Sequence, residues 1–222
     1  MGRLFNWRGV LRGATEKENE VSFTAALGSQ RGYIFDLDGT LVDSKLDFRR
    51  LRQRLGWPDD CLILEHLATL PSEEQHAASA VIHQFELEGA LQATVIDGAK
   101  ELLAQLKALQ LPTAILTRNS RAVTTLTLQR LQLDVDLVLS RDDAPAKPNP
   151  AGLWHIAQHW QIAPAELLFI GDYLFDLQTA DAAGMPSCLY LDGRNAQFAP
   201  LATHQIRHFA ELSAACWQQH RR

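Results

Sequence analysis

Five short apolar segments alternate along this chain with segments of helical spacing, and this alternation restricts the fold more than any other feature. The apolar segments are residues 32–36, 113–117, 135–140, 167–172 and 187–191. The helical spacing falls in residues 99–110, 121–131, 150–161 and 175–183. Strands that alternate with helices usually pair in parallel and are joined by right-handed crossovers. The sequence therefore predicts an α/β fold built around a parallel sheet.

Residues 44–97 interrupt the alternation. Helical spacing occurs there in residues 46–55, 61–70 and 72–91, without a convincing strand pattern. Because a structureless loop of this length is uncommon in a compact domain, we expect an inserted group of helices. We place its hinges near residues 43–45 and 96–98. The whole chain of 222 residues, with 46% hydrophobic and 21% charged residues, has room for one large or two small domains.

The first apolar segment runs directly into two aspartates. Tyr33, Ile34 and Phe35 precede Asp36, and Asp38 follows two positions later. Open α/β sheets bind ligands at the carboxyl ends of their strands, so carboxylates at this position indicate an active site. One carboxylate can attack phosphorus as a nucleophile, and the other can protonate a leaving alkoxide and later activate water.

Polar residues also follow two other predicted strands, and one lysine stands in a loop before a predicted helix. Thr117 and Asn119 follow the second strand, and Lys147 stands in the Lys-Pro-Asn-Pro loop before a helix. Asp172 ends the fourth strand, and Asp176 follows four residues later. Hydroxyl and ammonium groups suit phosphoryl oxygens, and carboxylate oxygens suit Mg²⁺.

Each of these patterns also has a plainer interpretation when it is taken alone. Asp38 and Gly39 are typical of a hairpin turn, and Thr117 with its neighbours is typical of a strand before a helix cap. Lys147 would by default be a surface lysine, and Asp176 a carboxylate near a helix N-terminus.

The four patterns taken together, in this order, resemble the motifs of the haloacid dehalogenase-like (HAD) hydrolases, and the resemblance covers residues 33 to about 191. It implies a Rossmann-like core with a five-stranded parallel sheet in the order 5-4-1-2-3. It also implies an inserted α-helical cap. The expected division is an N-terminal extension at residues 1–30, a HAD core at 31–43 and 98–222, and a cap at 44–97.

The resemblance also implies a role for each residue. Asp36 and Asp38 are the expected catalytic pair, as nucleophile and general acid–base. The expected phosphate-binding residues are Thr117, Asn119 and Lys147. The expected Mg²⁺ ligands are Asp36, Asp38 (through its backbone carbonyl) and Asp172, with Asp176 in the second coordination sphere. Arg118 departs from the pattern, because many relatives have asparagine directly after the threonine, and the sequence leaves open whether it contacts substrate or points outward.

The expected function is Mg²⁺-dependent hydrolysis of a small phosphorylated metabolite, as in phosphoglycolate phosphatases. Asp38 argues against dehalogenation, because haloacid dehalogenases lack this second aspartate. A phosphonatase remains an alternative, although Lys45 is the one lysine between residues 41 and 99. A phosphosugar mutase and a catalytically idle regulatory member also remain open. The glycine-bearing cap loop usual in mutases and phosphoglycolate phosphatases has no counterpart, because no glycine lies between Trp57 and Glu88.

The remaining composition bears on partners and location. The net charge of −5 argues weakly against nucleic acid as the main partner. The chain contains no apolar run near the ~20 residues that a membrane-spanning helix needs, so no membrane partner is expected. Its three cysteines are widely spaced, which favours a reducing cytoplasm. We expect a monomer or homodimer, and a final amphipathic helix over residues 204–219.

Overall fold

A computed structural model describes residues 28–220 of the chain. Its strands are β1 Gly32–Phe35, β2 Val42–Asp43, β3 Thr94–Val95, β4 Thr113–Leu116, β5 Leu137–Leu139, β6 Leu167–Gly171, β7 Ser187–Tyr190 and β8 His204–Ile206. Its α-helices are α1 Phe48–Leu55, α2 Ile63–Thr69, α3 Ser72–Gln92, α4 Ala99–Ala108, α5 Arg121–Leu131, α6 Ala151–Trp160, α7 Leu174–Ala183 and α8 Phe209–His220. Short 3₁₀ helices cover Pro164–Glu166 and Ala196–Leu201.

A six-stranded parallel sheet in the order β5-β4-β1-β6-β7-β8 forms the centre of the molecule. Strand β1 lies inside it, with Phe35 aligned with Ile115 of β4 and with Ile170 of β6. Side chains alternate along β1, so Tyr33 and Phe35 join one buried apolar cluster while Ile34 joins another. Because both faces are covered, the strands are continuous apolar runs rather than alternating ones.

The prediction of a five-stranded sheet in the order 5-4-1-2-3 is wrong, because a sixth strand extends the sheet beside β7. Strand β8 pairs with β7, aligning His204 with Cys188 and Ile206 with Tyr190. Residues 204–206 were predicted to begin the last helix, which instead begins at Phe209. A three-residue strand of sequence His-Gln-Ile has almost no periodic signal, and only its pairing with β7 defines it.

Residues 44–97, which we call the helical insertion, leave and re-enter the sheet domain at adjacent points. The antiparallel pair of β2 and β3 aligns Val42 with Val95 and Asp43 with Thr94. Helices α1 to α3 lie between these two strands and enclose a small apolar cluster around Leu51, Ile82 and Phe85. The division of the chain into a core domain and a cap domain stays a prediction.

The helical insertion also contacts the sheet domain directly, since α3 packs against α5. Arg130 of α5 donates from Nε to the Ala90 carbonyl at 3.0 Å, and from Nη2 to the Ala93 carbonyl. These bonds satisfy carbonyls at the end of α3, where helical partners run out. The predicted N-terminal extension falls almost entirely outside the described residues. Within residues 28–220, no helix is long and apolar enough to cross a membrane.

Candidate active site

The predicted site residues lie where β4, β1 and β6 end, at one edge of the sheet. Asp36 directly follows β1, Thr117 directly follows β4, and Asp172 directly follows β6. Lys147 comes from the loop before α6, and Asp176 from the first turn of α7. Parallel strands point their carboxyl ends the same way, which explains why residues so distant in sequence meet here.

Lys147 lies at the centre of this group. Its side chain is 2% exposed, and its Nζ lies 2.6 Å from Asp36 Oδ1 and 2.6 Å from Asp176 Oδ1. Burial works against the lysine charge, but the carboxylates of Asp176 and Asp36 outweigh it and raise the pKa of Lys147. The lysine therefore stays cationic in a place where an unpaired charge would be strongly disfavoured.

Asp176 holds Lys147 from a fixed position. Its second oxygen, Oδ2, accepts a 3.0 Å hydrogen bond from the Tyr173 backbone N–H at the start of α7. Gly171 makes this position accessible, because a Cβ there would lie 2.3 Å from Asp176 Cγ. The Gly-Asp pair at the end of β6 thus reflects a steric requirement as well as a chemical one.

Three carboxylates converge here, with oxygens of Asp36, Asp172 and Asp176 all within 4.8 Å of one another. Burial raises the pKa of Asp172 to about 8, with the charges of Asp36 and Asp176 adding to the effect. Burial also raises the pKa of Asp36 to about 7, against the lowering effect of Lys147. Like charges held this close, with one lysine among them, leave an excess of negative charge that a cation would relieve.

The donor set suits a hard divalent cation, because all three side chains offer carboxylate oxygen. Gly39 contributes space: its φ is +82°, and a Cβ there would lie 2.4 Å from Asp172 Oδ2. The Thr40 hydroxyl donates to Asp172 Oδ1 at 3.4 Å. The residues present therefore fit a hard divalent cation such as Mg²⁺.

The Asp38 side chain belongs to a different group of contacts. Its Oδ2 accepts a 2.5 Å hydrogen bond from Asn119 Nδ2, and Ser44 provides a second side-chain hydrogen bond. Burial raises the pKa of Asp38, and these two hydrogen bonds only partly offset the rise. A carboxyl group with a raised pKa holds a proton more readily than a free carboxyl group does, as a general acid must.

Thr117 and Asn119 complete the edge beside β4. The Thr117 side chain is buried, and its Oγ1 accepts a 3.1 Å hydrogen bond from the Asn119 backbone N–H. Ser120 then caps α5 by accepting from the Val123 N–H. The structure places both residues at the site, and their predicted role in binding phosphate stays a prediction.

Arg118, which the sequence left unassigned, points toward the helical insertion. Its Nη2 lies 2.9 Å from both carboxylate oxygens of Glu65 in α2, and its Nη1 donates to the Lys147 carbonyl. The guanidinium also lies over the Phe175 ring, 4.6 Å from its centre. Arg118 therefore joins the insertion to the Lys147 loop.

Sequence analysis missed Asn195, a buried residue in the loop after β7. Its Nδ2 donates to the Asp172 carbonyl at 2.7 Å and to the Tyr190 carbonyl at 2.8 Å. It thereby supports the backbone of a candidate metal ligand. A single asparagine in a loop carries no periodic or motif signal, so only the fold reveals this contact.

Comparisons with known proteins agree with this geometry. The model of the family described as "Haloacid dehalogenase-like hydrolase" matches residues 50–190. A haloacid dehalogenase-like hydrolase domain-containing protein of Arabidopsis thaliana is 30% identical over 171 residues, covering 72% of this chain and 70% of that protein. The phosphoglycolate phosphatase of Chromobacterium violaceum is 31% identical over 179 residues, covering 68% of this chain and 80% of that protein.

A solved structure shares the fold. The putative haloacid dehalogenase-like hydrolase of Bacteroides fragilis superposes with a TM-score of 0.71 at 22% identity, covering 82% of this chain and 99% of that one. The family model matches more than half of the chain, and the two relatives are 30% and 31% identical to it, so the similarity extends beyond a shared fold. The chain therefore belongs to the haloacid dehalogenase-like hydrolases, as a phosphatase-type enzyme similar to the phosphoglycolate phosphatases of that family.

Proposed function

We propose that this protein hydrolyses a small phosphate monoester through an aspartyl-phosphate on Asp36, with Mg²⁺ as cofactor. The observation that carries the proposal is the placement of two aspartates with different partners at the end of β1. Asp36 is paired with Lys147, whereas Asp38 is held by Asn119 and Ser44. Lys147 favours the anionic form of Asp36, and a bound cation would favour it further, whereas Asp38 has a raised pKa and can carry a proton; these are the two states that the reaction needs.

The first step uses these two states together. A carboxylate oxygen of Asp36 attacks phosphorus, the bond from phosphorus to the ester oxygen breaks, and Asp38 gives its proton to that oxygen. Lys147, Thr117 and Asn119 bind phosphoryl oxygens and hold them in line for attack. In the second step Asp38 takes a proton from water as the water attacks phosphorus, which releases phosphate and frees Asp36.

Asp36, Asp172 and the Asp38 carbonyl are the proposed Mg²⁺ ligands, and Asp176 would bind through water while holding Lys147. When bound, Mg²⁺ neutralises charge on the phosphoryl oxygens so that an anionic nucleophile can approach them. The crowding of three carboxylates within 4.8 Å supports this assignment, because a divalent cation would offset their mutual repulsion.

We assign substrate selection to the helical insertion as a cap over residues 44–97. Its two connections to the sheet are adjacent, as a hinged element requires, and Gly98 adopts φ +78° beside one of them. The phosphonatase alternative loses support, because the Lys45 side chain is exposed and paired with Asp43. The substrate we propose is a small phosphorylated metabolite, by analogy with the named activity of the Chromobacterium violaceum relative.

A substrate panel tests the proposal. The purified full chain should release inorganic phosphate from one or more phosphorylated metabolites in the presence of Mg²⁺, with phosphoglycolate and sugar phosphates included. It should also hydrolyse p-nitrophenyl phosphate, a generic substrate whose turnover should need few specific contacts with the cap. If a folded preparation releases phosphate from none of these compounds, the proposed function is wrong.

A further inference from the structure

A buried ion pair joins the helical insertion to the loop that follows β5. Arg141 Nη1 lies 2.5 Å from Glu86 Oε1, and Arg141 Nη2 lies 3.1 Å from Glu86 Oε2. The Glu86 side chain is 8% exposed and the Arg141 side chain 19%. Glu86 belongs to α3, so this bidentate contact fixes α3 of the helical insertion against the loop that follows β5.

Arg141 also holds the peptide that carries Asn119. Its Nη1 donates to the Arg118 carbonyl at 2.9 Å, and its backbone N–H donates to the Asn119 carbonyl at 3.0 Å. Two consecutive carbonyls after β4 are therefore bound by the same residue. These two hydrogen bonds restrict the backbone conformation at Asn119, and therefore the position of its side chain.

Asn119 in turn positions Asp38, through the 2.5 Å bond from its Nδ2 to Asp38 Oδ2. The contacts thus run without a gap from Glu86 to Arg141, then to the 118–119 backbone and Asn119, and finally to Asp38. We propose that the Glu86–Arg141 pair is a positioning element that aligns Asp38 for proton transfer only when the insertion is docked. The proposal rests on the proposed function, in which Asp38 is the general acid.

A merely structural pair would affect all substrates equally, because losing one partner of a buried ion pair destabilises the whole fold. A positioning pair would instead affect substrates according to their need for a proton. An alkyl phosphate needs a proton on its leaving oxygen, whereas p-nitrophenyl phosphate releases a stable anion without one. The ratio of the two turnover rates therefore separates the two explanations.

The experiment measures kcat and KM for p-nitrophenyl phosphate and for the alkyl phosphate turned over fastest in the panel, with Mg²⁺ present. Glu86→Gln should lower kcat for the alkyl phosphate by about tenfold or more, while kcat for p-nitrophenyl phosphate changes less than about threefold. Arg141→Lys keeps the positive charge but loses the bidentate contact. It should also lower kcat more for the alkyl phosphate than for p-nitrophenyl phosphate, by a smaller factor than Glu86→Gln does. It also serves as the second variant if Glu86→Gln does not fold.

Two further variants sharpen the result. Glu65→Gln removes a more exposed carboxylate that faces Arg118 across the same boundary, and it should leave the ratio of the two rates unchanged. Adding Glu86→Gln to Asp38→Asn should cause no further selective loss, because the residue being positioned is already disabled. Equal loss on both substrates, or an additive loss in the double variant, would overturn the positioning role. If Asp38→Asn alone lowers both turnover rates equally, the proposed function itself is contradicted.

Discussion

The strand ends and the helical insertion differ in how they hold charge. At the strand ends Asp36, Lys147 and Asp176 are all buried, and Lys147 contacts both carboxylates directly. In the insertion, α1 carries four arginines on a largely exposed surface and α2 has no buried residue. Groups that are buried and paired have fixed positions, whereas exposed groups can be replaced at little cost. The difference supports the proposal that the reacting groups lie at the strand ends and that exposed residues of α1 and α2 contribute to substrate selection.

The largest expected effect is on the nucleophile at the strand ends. Asp36→Asn should lower turnover by at least about a thousandfold with the fold retained, because an amide cannot form the aspartyl-phosphate. Steady-state assays of the purified variant, with circular dichroism as a check on folding, measure this. Asp181→Asn, an exposed change on α7, is the matched control and should keep wild-type activity. Near-wild-type turnover of Asp36→Asn would show that Asp36 is not the nucleophile and that the buried strand-end cluster does not carry the reaction.

The next largest effect concerns the metal. Exhaustive chelation with EDTA should reduce activity by at least about a hundredfold, and Mg²⁺ should restore it, because the carboxylate cluster needs a cation. Ca²⁺ should inhibit, since its larger and looser coordination would misplace Asp36. Titrating each metal into the chelated enzyme while following phosphate release provides the measurement. Full activity in EDTA would show that the carboxylate cluster works without a metal.

The third prediction concerns stability and pH in the absence of metal. The pKa of Asp172 is raised to about 8 by burial and by neighbouring carboxylates, while its unfolded value is near 4. Between these values the folded protein keeps a proton that the unfolded chain has lost. The free energy of unfolding is therefore highest, as far as Asp172 contributes, below about pH 4 and falls as pH rises through 8.

Melting temperatures in EDTA at pH 6 and pH 8 test this. Wild type should lose more stability at pH 8 than Asp172→Asn does, and Mg²⁺ should stabilise wild type more at pH 8 than at pH 6. Glu65→Gln, in the exposed part of the insertion, should show the same pH dependence as wild type. If Asp172→Asn also shows the wild-type pH dependence, Asp172 is not held in an unfavourable charged environment.

The smallest expected effects lie in the insertion. Arg49→Ala and His66→Ala should change the preference among metabolite substrates by a few-fold, which is about 1 kcal/mol, while p-nitrophenyl phosphate hydrolysis stays close to wild type. Arg49 is exposed on α1, and His66 packs edge-on against Trp57 at 4.6 Å. Ratios of kcat/KM across the panel are the measurement. Parallel changes on all substrates would mean that Arg49 and His66 do not act through substrate selection.

Predictions that rested on local pattern agreed best with the structure. The α/β class and the parallel sheet are confirmed, because strand and helix periodicities are properties of a few adjacent residues. The family and its enzymatic character are confirmed by the comparisons. The strand count was wrong because β8 has no periodic signal of its own. The roles of Asp36, Thr117 and the other site residues stay predictions, as do the domain boundaries, the cytoplasmic location and the oligomeric state.

What the sequence determined by itself is the chemistry available at each strand end. An apolar run that stops at a carboxylate, a hydroxyl or a Gly-Asp pair shows both the strand and its polar terminus in consecutive residues. The tertiary structure alone decided which of these groups share a partner. Lys147 bridges Asp36 and Asp176, and Glu86 reaches Arg141, which is 55 residues away. Contacts between residues this far apart depend on how the sheet and the insertion pack, and no local pattern in the chain encodes them.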